Sequence, residues 1–97
     1  MNNEKIWLVG PGNIGLDYVK VLNHFGLNYD VIGRSPKPKF PAKVYPHGIE
    51  EYIEINSDNI AKYAIVAVDE SQLFKVTRQL INCGVENILI EKPAGTN

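Results

Sequence analysis

One cysteine, Cys83, cannot form a disulfide within the chain or a thiolate zinc site, and the two histidines, His24 and His47, lie too far apart for a local metal-ligand pattern. Neither acid nor base is in excess: ten Lys and Arg stand against eleven Asp and Glu, a net charge of −1. That balance gives no global field for nucleic acid or anionic membrane, so neither is expected as a partner. The first apolar run, Ile6 to Val9, is too short for a signal peptide core or a membrane span. These absences together point to a reducing, cytoplasmic setting.

What is present is enough for one domain over residues 1–97, since 44% hydrophobic content is ordinary for a globular chain of this length. Short apolar runs alternate with segments of helical period, which is the pattern of a parallel sheet covered by helices. Five strands are predicted, at Lys5–Val9, Tyr29–Ile32, Lys43–Tyr45, Tyr63–Val68 and Asn87–Ile90. One helix is expected over Asn13–Phe25, with Ile14, Tyr18, Val21, Leu22 and Phe25 on one face. A second is expected over Ser71–Asn82, carrying Leu73, Phe74, Val76, Leu80 and Ile81 and stopped by Gly84. Trp7, Phe25, Phe74 and Leu80 are read as core residues, and Cys83 as a packing residue at a helix end. Four of the six prolines fall in Ser35–Pro46, which therefore reads as an extended crossover, and Ile49–Ile55 as a short helical turn.

The sharpest signal is Gly10-Pro11-Gly12-Asn13-Ile14-Gly15, because it leaves an apolar strand and opens a helix. In that context Gly10 permits the turn, Gly12 admits a pyrophosphate to the backbone, and Gly15 lets helix and strand approach. The helix N-terminus then supplies amide donors and partial positive charge. Strand, loop and helix together predict a three-layer Rossmann sandwich with five parallel strands in the order 3-2-1-4-5, binding NAD(P) at the switch point.

The second strand ends in Gly33-Arg34-Ser35, where NAD-preferring proteins carry an acid for the ribose hydroxyls. A guanidinium fork and a hydroxyl suit a ribose 2′-phosphate instead, which favours NADP. Lys37, Lys39 and Lys43 add positive charge, with no acid between Asp30 and Glu50. Asp30 is the competing ligand, since a shifted strand end would restore an acid there and a preference for NAD. Val68, at the end of the fourth strand, completes the expected cofactor contacts. Glu91-Lys92-Pro93 leaves the fifth strand at the carboxyl edge of the sheet, where ligands of such folds bind.

In the order and spacing of these three motifs the chain resembles the N-terminal domain of the glucose-fructose oxidoreductase/inositol dehydrogenase (Gfo/Idh/MocA) family. The resemblance implies an NAD(P)-dependent oxidoreductase of sugars or polyols, with Glu91 beside the cofactor, Lys92 as the catalytic lysine at the substrate hydroxyl, and a cis peptide before Pro93. The turn Val68-Asp69-Glu70-Ser71 departs from the family's usual Thr-Pro-Asn. The family's substrate domain has no counterpart in these 97 residues, so the chain is expected to bind cofactor without turnover. The alternative from another class is a nucleotide-sensing or assembly module, and a third reading is a flavodoxin-like or CoA-binding domain sharing only the loop. An apolar edge at Asn87–Ile90 predicts a homodimer.

Overall fold

A computed structural model describes residues 5–91. Five strands, β1 (Ile6–Val9), β2 (Tyr29–Ile32), β3 (Val44–Tyr45), β4 (Tyr63–Val66) and β5 (Asn87–Ile90), form one sheet in the order β3-β2-β1-β4-β5. Every pairing is parallel, with Trp7 opposite both Asp30 and Ala64, and Ala64 opposite Ile88. Helix α1 (Asn13–His24) covers one face, while α2 (Gly48–Ile55) and α3 (Glu70–Cys83) cover the other.

The central strands are buried on both faces, which is why they read as unbroken apolar runs. Along β1, Trp7 and Val9 point to α2 and α3 while Leu8 points to α1, and all three are buried. Val19 and Leu22 are buried on α1, and Val76 and Leu80 on α3. Trp7 meets Tyr52 of α2 edge to face, ring centroids 5.1 Å apart, an arrangement the ring quadrupoles favour. The segment 49–55 is a full helix rather than a single turn. Glu50 and Glu51 in its first turn suit the helix dipole, and Ile49, Tyr52 and Ile53 pack on the sheet.

Two of the expected core aromatics are not in the core. Phe25 is 67% exposed and Phe74 is 74% exposed, whereas Trp7 and Leu80 are buried as expected. Both phenylalanines lie away from the buried sides of their helices: Phe25 meets His24 edge to face, and Phe74 lies under the Arg78 guanidinium. Strand β4 ends at Val66, two residues early, because Ala67 turns into the loop that meets the glycine segment. Among the described residues no helix is long and apolar enough to cross a membrane.

Asp30 lies on the α2 and α3 side of β2, where its carboxylate accepts a hydrogen bond from the Tyr52 hydroxyl and pairs with Lys5 Nζ at 3.4 Å. Burial first, and the bond to Asp30 second, push the Tyr52 phenol above the ordinary tyrosine range. Because the folded value is raised, the stabilisation is complete below the unfolded value of about 10 and is lost as pH rises through the folded one. Tyr52→Phe is expected to cost about 1–2 kcal/mol at pH 7, since Asp30 keeps only an exposed lysine and water as partners. Denaturant unfolding of the two proteins measures it, and equal midpoints would remove the bond from the stability account.

Candidate functional site

The strand order places β2 on one side of β1 and β4 on the other, so the loops after β1 and β4 diverge to opposite faces at the carboxyl edge. Backbone bonds tie the loops together there. Gly10 N–H donates to Ile32 O (2.9 Å), Ala67 N–H to Val9 O (2.8 Å), Gly33 N–H to Tyr45 O (2.8 Å) and Gly48 N–H to Gly33 O (2.8 Å). Between them opens a groove of about 770 Å³, within the range of small-molecule sites.

The glycine segment is built for close approach. Gly10 has φ +115°, and a Cβ there would lie 2.2 Å from Ala67 O; a Cβ on Gly15 would lie 2.0 Å from Gly10 O. These two glycines hold the loop against β4 and α1. Gly12 differs, because a Cβ there would meet no protein atom within 4 Å, and the residue lines the groove at the start of α1. No side chain caps that helix and no acid stands in its first turn. Gly12 therefore leaves a space open beside uncapped amides, a setting suited to an anionic group.

Of the residues singled out from sequence, Gly10, Pro11, Gly12, Gly33, Arg34, Ser35 and Val68 line this groove. Asn13 and Ile14 lie in the first turn of α1 outside its lining, and Gly15 is buried beneath the loop. Lys37 lines the groove, whereas Lys39 and Lys43 do not. Asp30 is absent from it. Its register opposite Trp7 puts it two residues before the strand end, and its carboxylate is turned to Tyr52 and Lys5. Glu91 also stands apart, accepting a 2.6 Å hydrogen bond from the Tyr18 hydroxyl, while its own N–H donates to Val66 O. That bond to Glu91, more than burial, pushes the Tyr18 phenol up to about 12. Lys92 and the peptide before Pro93 lie outside the described residues.

The opposite wall comes from α2 and α3, which carry no motif. His47 and Glu50 enter from the start of α2, and Asp69, Gln72, Lys75 and Gln79 from α3. Gln72, Lys75 and Gln79 recur at helical spacing, a signal shared with any exposed helix flank, so only the packing of α3 beside α2 gives it meaning. Three cations, Arg34, Lys37 and Lys75, face two acids, Glu50 and Asp69, over an apolar floor that includes Val9, Ile32 and Val76.

All-parallel order 3-2-1-4-5, helices on both faces and a glycine turn at the switch point define a Rossmann-like α/β fold. Among solved structures, RSP, a Rex-family repressor, shares it with a TM-score of 0.74 at 16% identity, over 97% of this chain and 47% of that one. RSP in complex with β-NADH matches at 0.73 and 16% identity, over 97% and 48%. RSP in complex with β-NAD+ and operator DNA matches at 0.69 and 13% identity, over 94% and 51%. The chain thus spans about half the length of these proteins. No family model matches the chain, and no curated protein does.

Two expectations change. These neighbours are of a repressor family, so the Gfo/Idh/MocA resemblance gains no support beyond the Rossmann-like fold. The exclusion of nucleic acid is overturned by the operator complex, since a protein containing this fold binds DNA. Net charge misled because it averages over 97 residues and says nothing of the other half of a chain such as RSP.

Proposed function

We propose that this chain is a nicotinamide dinucleotide-binding domain that serves as a ligand-sensing module. The observation that carries this reading is the space at Gly12, open into the groove beside the uncapped start of α1 at the switch point. The backbone of Gly10 to Gly12 and the first amides of α1, at Asn13, Ile14 and Gly15, hold the pyrophosphate. Pro11, Gly33 and Val68 shape the walls. RSP, solved with NADH and with NAD+ on operator DNA, supports sensing over hydride transfer, and it sets DNA among the partners of a longer protein of this kind.

Within that reading the cofactor is NADP(H). Arg34 and Ser35 follow β2 directly and line the groove with Lys37, while the competing acid, Asp30, is held on the α2 side of the sheet by Tyr52 and Lys5. A 2′-phosphate has a guanidinium and a hydroxyl to meet, whereas the ribose diol has no acid at the strand end.

A second reading, the cofactor domain of a sugar or polyol oxidoreductase, draws on Glu91, which Tyr18 fixes where β5 leaves the sheet. In that reading the role of Lys92 is the one the family resemblance implies, moving the proton of a substrate hydroxyl while the dinucleotide supplies hydride transfer.

Parallel calorimetric titrations with NADP(H) and NAD(H) at one salt concentration test the proposal. Saturable binding of both forms, tighter for NADP(H), is expected. Absence of heat with either, in a chain shown to be folded by circular dichroism, would refute dinucleotide binding, and equal affinities would refute the NADP preference.

A further inference from the structure

Seven of the nine large hydrophobic side chains exposed among the described residues, Val21, Phe25, Tyr63, Phe74, Ile81, Leu89 and Ile90, surround one element, the edge strand β5. Their placement follows from the contacts of each helix. On α1, Asn23 meets Tyr29 of β2 and Tyr18 meets Glu91 at the end of β5, so Val21 and Phe25, on Tyr18's flank, lie on the side of α1 turned toward β5. On α3, Gln72, Lys75 and Gln79 face the groove beside α2, and the opposite flank carries Phe74 and Ile81. Tyr63 and Leu89 lie on the α1 face of the sheet, and Ile90 on the α3 face. Ile88 packs against the α3 side of the core, but neither helical layer covers Leu89 and Ile90.

We infer that this edge is the interface of a two-fold dimer, in which β5 pairs antiparallel with β5 of a second copy to make one ten-stranded sheet. The backbone sets the register. Asn87 N–H donates to Lys62 O and Glu91 N–H to Val66 O, so residues 87, 89 and 91 turn their backbone groups to β4. Ile88 and Ile90 turn theirs to the edge that no other strand among the described residues pairs. Only a register of matching parity pairs them, and with the axis at Leu89 each Ile88 exchanges both bonds with the second copy's Ile90. Asn87 then faces the second copy's Glu91, an amide against a carboxylate, so no like charges meet.

A two-fold axis normal to the sheet keeps like faces together. The two α1 flanks meet over the Leu89 pair, and the two α3 flanks meet over the isoleucines, so the patch complements itself as an isologous interface requires. These seven side chains are 43–74% exposed, which amounts to apolar area on the order of the 800 Å² that each partner of a standard interface contributes. Strand β5 itself, Asn-Ile-Leu-Ile, has no lysine or proline to block edge pairing.

The test is the mass of the full chain in solution and its dependence on Leu89. Light scattering at tens of micromolar should give about twice the 10.9 kDa chain mass. Leu89→Lys and, separately, Phe74→Glu should give monomers that keep the wild-type circular dichroism spectrum, because both side chains are exposed in the single chain, with thermal midpoints that no longer depend on protein concentration. In a Cys83→Ser background, Leu89→Cys should cross-link on oxidation and Ile88→Cys should not, since only the axial pair brings like residues within disulfide range. A monomeric wild-type chain would overturn the inference and leave the edge to another occupant. A dimer that survives Leu89→Lys or fails to cross-link at 89 would overturn it too. No dinucleotide enters these measurements, so they succeed or fail apart from the binding reading.

Discussion

Gly10→Ala and Gly12→Ala, two identical changes two residues apart, are expected to fail in opposite ways. At Gly10 the new methyl meets Ala67 O at 2.2 Å on a backbone with φ +115°, so the loop or the end of β4 must move. Left-handed strain and a backbone clash together cost about 2–5 kcal/mol, a large share of the roughly 5–15 kcal/mol that holds a domain folded. The thermal midpoint should fall steeply, and binding with it. At Gly12 the methyl meets nothing of the protein, so stability should hold within about 0.5 kcal/mol. The same methyl occupies the space beside the first amides of α1, and dinucleotide affinity should drop at least about tenfold, or 1.4 kcal/mol. Thermal scans and calorimetric titration of both variants separate the two effects. A Gly12→Ala chain that binds normally would show that the loop is a packing turn alone.

The second large effect is expected at Arg34. Arg34→Ala removes a charged donor from the groove and should weaken NADP(H) by about 1.5–3 kcal/mol, roughly 10- to 150-fold, while NAD(H) stays nearly unchanged. The difference should shrink as salt rises, because the contact is between charges at an open site. Titration of wild type and variant at two ionic strengths reads this directly. Equal losses for both cofactors would assign Arg34 to the shape of the loop rather than to a 2′-phosphate. A larger loss for NAD(H) would refute the 2′-phosphate role of Arg34.

Much of this was legible in the residues because the forces involved act locally. Strands β2 and β5 fall where their apolar runs fall, and the glycine turn announces itself because a strand precedes it and a helical period follows. Strand order followed from the same signals, since a right-handed crossover after β1 leaves few ways to lay five parallel strands. Helix α2 was harder to see, because its eight residues carry a short period and follow a proline-rich crossover.

Other features have no local signature. Asp30 stands three residues before Gly33, and sequence leaves open whether its carboxylate reaches the carboxyl edge; register opposite Trp7 and the Tyr52 hydroxyl decide that it does not. The groove wall of Gln72, Lys75 and Gln79 exists only because α3 lies beside α2. Phe25 and Phe74 share the apolar period of their buried neighbours, yet they are exposed. Periodicity tells that a helix has an apolar side, and sequence alone therefore determined the elements, their parallel order and the glycine turn. How wide that side must be is set by how many strands lie beneath it, so only the tertiary structure decided which apolar residues are core, which acid is spent on packing, and which strands flank the glycine turn.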